Sequence, residues 1–216
     1  MDFSFWNKYS DFFIEGVKLT ILLSLGTIIL SVVCGIMLAL MKRSRIAPLR
    51  WLASSYIEII RGTPILLQVY IIFFGLPYLN INLPDYVSGV MALTINSSAY
   101  VAEIFRAGIQ AVDKGQMEAA RSLGMPQRLA MTHIILPQAV RKILPALGNE
   151  FVVVIKESSI VSVVGLHELM FGTKNVIAGI YRPFEPLLIA AVMYFILTFT
   201  LTKLLGVAER RMSSGD

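Results

Sequence analysis

Several ionisable and hydroxyl-bearing residues interrupt long apolar runs in this 216-residue sequence. Glu150, Lys156 and Glu157 stand within one such run, and Ser158 and Ser159 follow them directly. A charge at the centre of a membrane helix costs about 2.5–3.5 kcal/mol on insertion scales, so such charges usually line a ligand path or pair with one another. The chemistry we expect from these residues is reversible binding of a small polar molecule. Covalent catalysis is not indicated, because no nucleophile–base set accompanies them.

The composition indicates a chain embedded in the lipid bilayer. Hydrophobic residues make up 56% of the sequence and charged residues 15%, against roughly 25% charged residues in soluble domains. The net charge of +5 comes from basic residues between apolar runs. Membrane topology explains these residues better than nucleic-acid binding does. The single cysteine, Cys34, excludes an intrachain disulfide and a multi-cysteine metal site, and no cofactor or metal is predicted.

The elements that must position these polar groups are membrane helices. Two charge-free runs of 23 residues, between Lys18 and Lys42 and from Gly62 to Pro84, can each cross the roughly 30 Å hydrocarbon core. The sequence Gly62-Thr63-Pro64 predicts a kink in the second helix, whose freed carbonyls need other partners. We predict an all-α integral membrane protein with one domain over residues 1–216 and five transmembrane helices, at about 17–41, 57–78, 86–111, 143–165 and 187–208.

Basic residues assign the two sides of the membrane. They cluster after the first predicted span, between the third and fourth, and after the fifth, which places the N-terminus outside and the C-terminus inside. The stretch 166–186 has balanced charge and is expected to be an outer loop. Five helices cannot be divided into two equal inverted halves, and they make a thin wall around a path. A second copy or a homologous partner is therefore expected.

A polar, alanine-rich segment separates the third and fourth predicted spans. Asp113 is expected to cap a short helix at about 114–124, and Gly124 is expected to end it in the left-handed conformation. Pro126 suits the first turn of a second helix. The small Ala119-Ala120 pair would let another protein approach closely. Periodicity alone favours an ordinary amphipathic surface helix.

The spacing within this segment resembles the EAA loop of ABC-importer permeases. Glu118-Ala119-Ala120 is followed by three residues, Gly124, nine residues and then Ile134-x-Leu136-Pro137. Three further motifs are similar to the polar amino-acid uptake permeases of that class: residues 58–64, 96–109 and 156–159. The resemblance extends from about residue 15 to residue 211.

The resemblance implies a permease of the cytoplasmic membrane that works by alternating access. The 114–124 segment would be a coupling helix that docks on a cytoplasmic ATPase through Glu118, Ala119, Ala120, Arg121, Leu123 and Gly124. The partners implied are ATPase subunits, a second permease, identical or homologous, and an extracytoplasmic amino-acid-binding protein. The sequence has no Gly-x-x-x-x-Gly-Lys-Ser/Thr phosphate loop, so ATP hydrolysis is expected in a separate subunit and this chain is not expected to be an enzyme.

An amino-acid ligand needs a cation or amide for its carboxylate and an acid for its ammonium group. Arg61 and Lys156 are candidates for the first role, and Glu58, Glu103, Glu150 and Glu157 for the second. An acidic excess leads to the hypothesis of a basic amino acid. The candidate substrate-binding residues are Glu58, Arg61, Thr63, Gln68, Ser97, Ser98, Tyr100, Glu103, Glu150, Lys156, Ser158 and Ser159. Hydrogen bonding between helices remains an alternative role for the serines and Gln68.

Two other classes of function fit the sequence less well. A carrier or channel driven by an ion gradient would explain the charges within the membrane but would not explain the EAA pattern. A membrane-embedded enzyme lacks a catalytic set. His133 and His167 have no plausible metal co-ligands in the sequence, and both are expected at the surface.

Overall fold

The computed structural model describes residues 1–213, and all regular structure in that part of the chain is helical. In chain order the helices are α1 Trp6–Lys42, α2 Ala47–Gly62, α3 Ile65–Tyr70, α4 Leu76–Tyr78, α5 Asp85–Gln110, α6 Lys114–Ser122, α7 Gln127–Ala130, α8 Leu136–Glu157, α9 Leu169–Ile180 and α10 Phe184–Ser213. π-Helical turns at Ile71–Gly75 and Met131–Ile135 join α3 to α4 and α7 to α8. A 3-10 helix, Ser158–Val164, follows α8 directly.

Helix α1 packs along α5 through a stripe of small residues. Their spacing of three or four residues places them on one helix face, and all are buried: Ser24, Thr27, Ser31 and Gly35. The opposite face exposes large apolar side chains, among them Leu22, Ile29, Val33, Met37 and Leu40. Soluble helices have the reverse pattern. In lipid, helices associate through close contact between small residues, because exposing apolar side chains there costs nothing.

The closest approach of α1 and α5 requires the glycine at position 35. A Cβ atom built on Gly35 would lie 2.5 Å from Val101 Cγ1 and 2.7 Å from Val101 Cβ. The backbone nitrogen of Ala102 would be 3.1 Å away, so a rotamer change at Val101 alone would not clear the space. The absence of a side chain at Gly35 therefore fixes how near the two helices lie.

The span predicted over 57–78, with a kink at Gly62-Thr63-Pro64, consists of separate helices in the structure. Helix α2 ends at Gly62, and the segment Ile65–Tyr78 departs from it at an angle of 110°. Thr63 between them is extended, with φ −120° and ψ 147°. Pro64 disfavours the helical conformation of the residue before it, so the chain breaks here and does not merely kink.

Other expected boundaries also differ from the structure. Helix α1 begins at Trp6, well before the expected position 17, and α8 gives way to the 3-10 helix inside the expected span 143–165. The stretch 166–186, expected as a loop, contains the 12-residue helix α9, which packs against α1. A search for runs long enough to cross a membrane overlooks a helix of this length.

Two helices in residues 1–213, α1 and α10, are long and apolar enough to cross a membrane alone. The bent pair of α2 with Ile65–Tyr78 would be a third span. Helices α5 and α8 are interrupted by polar and charged residues, many of them buried against neighbouring helices. The number of five spans and their orientation therefore stay predictions.

The α1–α5 contact makes a testable prediction with an internal control. We expect Gly35→Ala to lower the free energy of unfolding by about 1–3 kcal/mol, because the added methyl group overpacks the interface. Gly206→Ala on α10 is the matched control, since nothing lies within 4 Å of its Cβ position. Alanine should be neutral or slightly stabilising there. Thermal unfolding in detergent compares the two variants, and equal melting temperatures would contradict a tight α1–α5 contact.

Candidate functional site

Helix α6 is capped at both ends by residues that its sequence specifies. The Asp113 carboxylate accepts a hydrogen bond from the Gly115 amide at 2.6 Å, as predicted for an N-cap. Gly124 has φ +83°, which confirms its predicted left-handed conformation. The amide of Gly124 donates to the carbonyl of Arg121, and the amide of Met125 donates to that of Ala120. This pair of bonds is the Schellman arrangement, which satisfies carbonyls left free at a helix end.

The predicted ATPase-contact residues divide into an outward and an inward group. Glu118, Ala119, Arg121, Leu123 and Gly124 are exposed, and Leu123 retains 85% of its accessible surface. Arg121 donates through Nη1 to the Met125 carbonyl at 2.9 Å, which braces the turn after the helix. The prediction of direct partner contact does not fit Ala120. Its side chain is only 6% exposed, because it faces the interior of its own chain.

An apolar cluster packs α6 against α8. Val112, Ile135, Ala139 and Ile143 are buried together, and Met117 of α6 packs against them. The cluster joins the end of α5, the π-helical turn and the first half of α8. A displacement of α6 would therefore reach α8 through close-packed side chains, which deform little.

Gln68 forms hydrogen bonds across the break between α2 and α3. Its amide nitrogen donates to the carbonyls of Ile60 and Thr63 at 2.8 and 3.1 Å, and to the Thr63 hydroxyl at 2.9 Å. Its amide oxygen accepts from Asn96 Nδ2 at 2.9 Å. These are the partners expected for carbonyls freed by Pro64. Thr63 and Gln68, both candidate ligand residues, thus join the broken helix and tie it to α5.

Ser97 and Glu150 form the buried polar contact between α5 and α8. The Ser97 hydroxyl donates to Glu150 Oε1 at 2.7 Å, and the two residues are 1% and 8% exposed. Glu157 lies seven residues further along α8, which places it two turns away on the same helix face. Ser97 and Glu150 thus place a hydroxyl group beside a carboxyl group inside the helix bundle, and Glu157 is half-buried on the same helix.

Glu103 is the centre of a separate ionic cluster. Its carboxylate lies 2.8 Å from Lys42 Nζ, 2.7 Å from Arg106 Nη2 and 3.9 Å from Arg61 Nη1. The Arg61 guanidinium also lies over the Tyr100 ring, 5.4 Å from its centroid. Arg61 therefore contacts two other candidate ligand residues, Tyr100 and Glu103. Because Glu103 already faces three cations, its role in this structure is to join α1, α2 and α5.

The remaining candidate residues lie apart from this cluster and in different surroundings. Ser98 contacts the Tyr56 hydroxyl at 3.0 Å and lines a cavity of about 820 Å³ between α1, α2 and α5. The Ser158 and Ser159 hydroxyls donate to carbonyls three residues earlier, at 2.8 and 2.7 Å, so they bond locally within the 3-10 helix region. Glu58 and Lys156 are exposed.

Sequence reasoning did not select several polar residues that the structure uses. Tyr56, Asn96 and Lys42 bind to candidate residues, and proximity in the fold, not spacing along the chain, reveals them. Glu168 lies in the stretch predicted to be an outer loop, yet it is fully buried and accepts a hydrogen bond from the Tyr194 hydroxyl at 2.6 Å. Burial raises the pKa of the Glu168 carboxyl, while its hydrogen bonds act in the opposite direction.

The ionic cluster yields a prediction that separates a structural role from a ligand-binding role. Glu103→Gln removes the charge shared by three cations, so we expect the free energy of unfolding to fall by about 2 kcal/mol. Glu58→Gln is the matched control, because Glu58 is exposed and should change stability by no more than about 0.5 kcal/mol. Thermal unfolding in detergent measures both. A Glu103→Gln protein as stable as the control would contradict the structural role.

Comparisons with known proteins identify the family of this chain. The family model described as binding-protein-dependent transport system inner membrane component matches residues 31–214. The arginine transport system permease protein ArtQ of Bacillus subtilis (strain 168) is 41% identical over 217 residues, which cover 100% of this chain and 99% of that protein. The putative glutamine transport system permease protein GlnP of Rickettsia typhi (strain ATCC VR-144 / Wilmington) is 43% identical over 202 residues, with 93% of each protein covered.

A solved structure supports the same assignment. A chain from the crystal structure of an amino acid ABC transporter with histidines is 52% identical, with a TM-score of 0.94, 98% of this chain covered and 99% of that one. The chain is therefore a membrane protein and a transport subunit, not itself an enzyme. It belongs to the family of binding-protein-dependent transport system inner membrane components.

Proposed function

We propose that this chain is the membrane-spanning permease subunit of an ATP-driven importer of amino acids. Its partners would be a second permease, cytoplasmic ATPase subunits and an extracytoplasmic binding protein that delivers the ligand. Five spans, with the N-terminus outside and the C-terminus inside, would place α6 on the cytoplasmic side. The relatives described above, whose names specify arginine and glutamine transport, support the substrate class.

The exposed face of α6 is the observation that carries this proposal. A leucine that is 85% exposed lies next to a rigidly capped helix with small and charged side chains on its surface. An apolar side chain presented in this way is a suitable anchor for another protein. An ATPase groove that receives Leu123 and Ala119 would cover this surface, with Glu118 and Arg121 at its edge.

The contacts behind α6 suggest how the ATPase would drive transport. Met117 and the apolar cluster connect α6 to the first half of α8, and α8 carries Glu150 in its second half. Glu150 in turn bonds Ser97 on α5. A motion imposed on α6 by ATP binding would thus tilt α8 and alter the α5–α8 contact. Helix α8 would then have two positions, and both ATP binding and ligand binding would favour one over the other. Coupling between two sites requires such an element.

The α5–α8 contact is also the best candidate for the ligand site. We place the ligand ammonium or a cationic side chain at Glu150 and Glu157, with Ser97, Ser158 and Ser159 as hydroxyl partners and Lys156 facing the carboxylate. Two acids against one cation favour a basic amino acid. Arg61, Tyr100 and Glu103 are assigned to the ionic cluster instead, and Thr63 and Gln68 to the helix break.

Docking on α6 predicts that surface substitutions uncouple the transporter. Glu118→Lys reverses a charge on the docking face, and Gly124→Asp strains the left-handed turn and adds a charge. We expect each to reduce ATP-dependent uptake by at least about tenfold, and Glu118→Lys to do so while the purified chain keeps its melting temperature. Ser122→Ala on the same helix is the control and should transport normally. Normal coupling in both charged variants would rule out docking through α6.

The ligand assignment predicts a loss of affinity at two positions of α8. Glu150→Gln keeps a group that can accept the Ser97 hydrogen bond but removes the charge, so we expect arginine to bind about tenfold or more weakly. Lys156→Met should weaken binding by a similar factor through loss of the carboxylate partner. Binding to the purified complex is measured by calorimetry across the amino acids, with the exposed Glu209→Gln as control. Unchanged affinity in both α8 variants would remove these residues from the site.

A further inference from the structure

A basic cavity of about 830 Å³ lies between the end of α1, the end of α5 and the start of α6. Four basic side chains line it, against one acid, Asp113, whose carboxylate already caps α6. The basic residues are Lys42, Arg43, Arg106 and Lys114. The floor is apolar and includes Val112, Met117 and Ile135. Such a cavity fits an anionic group attached to an apolar body.

Two of these cations remain available to a ligand. Lys42 and Arg106 share the Glu103 carboxylate, at 2.8 and 2.7 Å. Arg43 and Lys114 are exposed, and within residues 1–213 no ion pair or side-chain hydrogen bond involves either of them. The charge around the cavity is therefore not balanced by the chain itself.

An apolar groove of about 240 Å³ continues from the basic cavity. The two share Lys42, Arg43, Arg106 and Ile109. The rest of the groove is lined by Ile36, Ala39, Leu40, Phe105 and Leu136. Leu40 is 66% exposed and belongs to the outward apolar face of α1. The groove thus leads from a cluster of cations to the surface that faces lipid.

We propose that the basic cavity and the groove together bind one anionic phospholipid. Its phosphate would contact Arg43 and Lys114, and the first part of one acyl chain would lie along Leu40 and Phe105. Charge-assisted bonds from guanidinium to phosphate are strong and directional. This inference uses the orientation given under the proposed function, in which these helix ends face the cytoplasm. Basic pockets between helices on that side are suited to acidic lipid headgroups.

The position of the site gives the lipid a regulatory role in coupling. Arg43 ends α1 and Lys114 begins α6, so one phosphate would bridge the membrane helix and the docking helix. Met117 contributes both to the cavity and to the apolar cluster that mounts α6 on α8. A bound lipid would therefore hold α6 at a fixed distance from α1 and limit its motion.

Native mass spectrometry of the purified full chain in detergent tests this site without requiring transport, so failure here is distinct from failure of the proposed importer function. The protein is titrated with phosphatidylglycerol or with zwitterionic phosphatidylcholine. We expect wild type to retain phosphatidylglycerol selectively. The double variant Arg43→Gln/Lys114→Gln should bind it roughly 25-fold more weakly, because each basic residue near an acidic lipid contributes about a fivefold factor.

Arg45→Gln/Arg50→Gln is the matched control, since both residues are exposed and neither lines the two cavities. It should bind phosphatidylglycerol as wild type does. The single variants Arg43→Gln and Lys114→Gln provide the same comparison if the double variant does not fold. Equal binding by the cavity variants and the control, or equal retention of both lipids by wild type, would overturn the proposal.

A second pair of variants tests the apolar groove and distinguishes a lipid from a free anion. Leu40→Asn should weaken phosphatidylglycerol binding several-fold, while Val33→Asn on the same exposed face, outside both cavities, should not. Excess inorganic phosphate should displace little of the bound lipid. Complete displacement by phosphate, with no effect of Leu40→Asn, would reassign the cavity to a free anion and overturn the lipid site.

Discussion

Close packing between α1 and α5 is the contact on which the rest of this structure depends. The stripe of small residues that ends at Gly35 lets the two backbones approach, and no large apolar side chain could replace it without separating them. Helix α5 carries the residues that organise the other helices: Asn96 holds the α2–α3 break, Ser97 binds α8 and Glu103 gathers cations from α1 and α2. In lipid there is little hydrophobic force between helices, so this geometric fit and these polar bonds hold the bundle together.

The neighbours of each polar group inside the bundle determine its role, even where the residue types are similar. Glu103 and Glu150 are both glutamates on long helices, yet the first faces three basic groups and the second faces one hydroxyl. A carboxylate already shared among cations has little to offer a ligand, whereas one bonded only to a serine can exchange that bond. Gln68 differs from the serines on α5 in a similar way, because its amide group is occupied at a helix break.

Helix α6 combines an outward surface with a firm inward attachment. Its caps fix its length, Ala120 and Met117 hold it to its own chain, and Leu123 points away. A helix that is capped at both ends and packed along its inner face transmits displacement, because close-packed side chains deform little. In the proposed importer it lies between the ATPase and α8, and the basic cavity beside it adds a second place where its motion can be controlled.

The sequence alone determined the class of the protein and the local structure of α6. Hydropathy and charge placement indicated a membrane chain, and Asp113 and Gly124 predicted the ends of α6 because capping depends on residues only a few positions apart. The tertiary structure decided what depends on distant residues. It placed Arg61 against Glu103, separated Glu103 from Glu150, turned Ala120 inward and folded the expected outer loop into α9. These outcomes follow from which helices pack together, and periodicity in one segment carries no information about its partner.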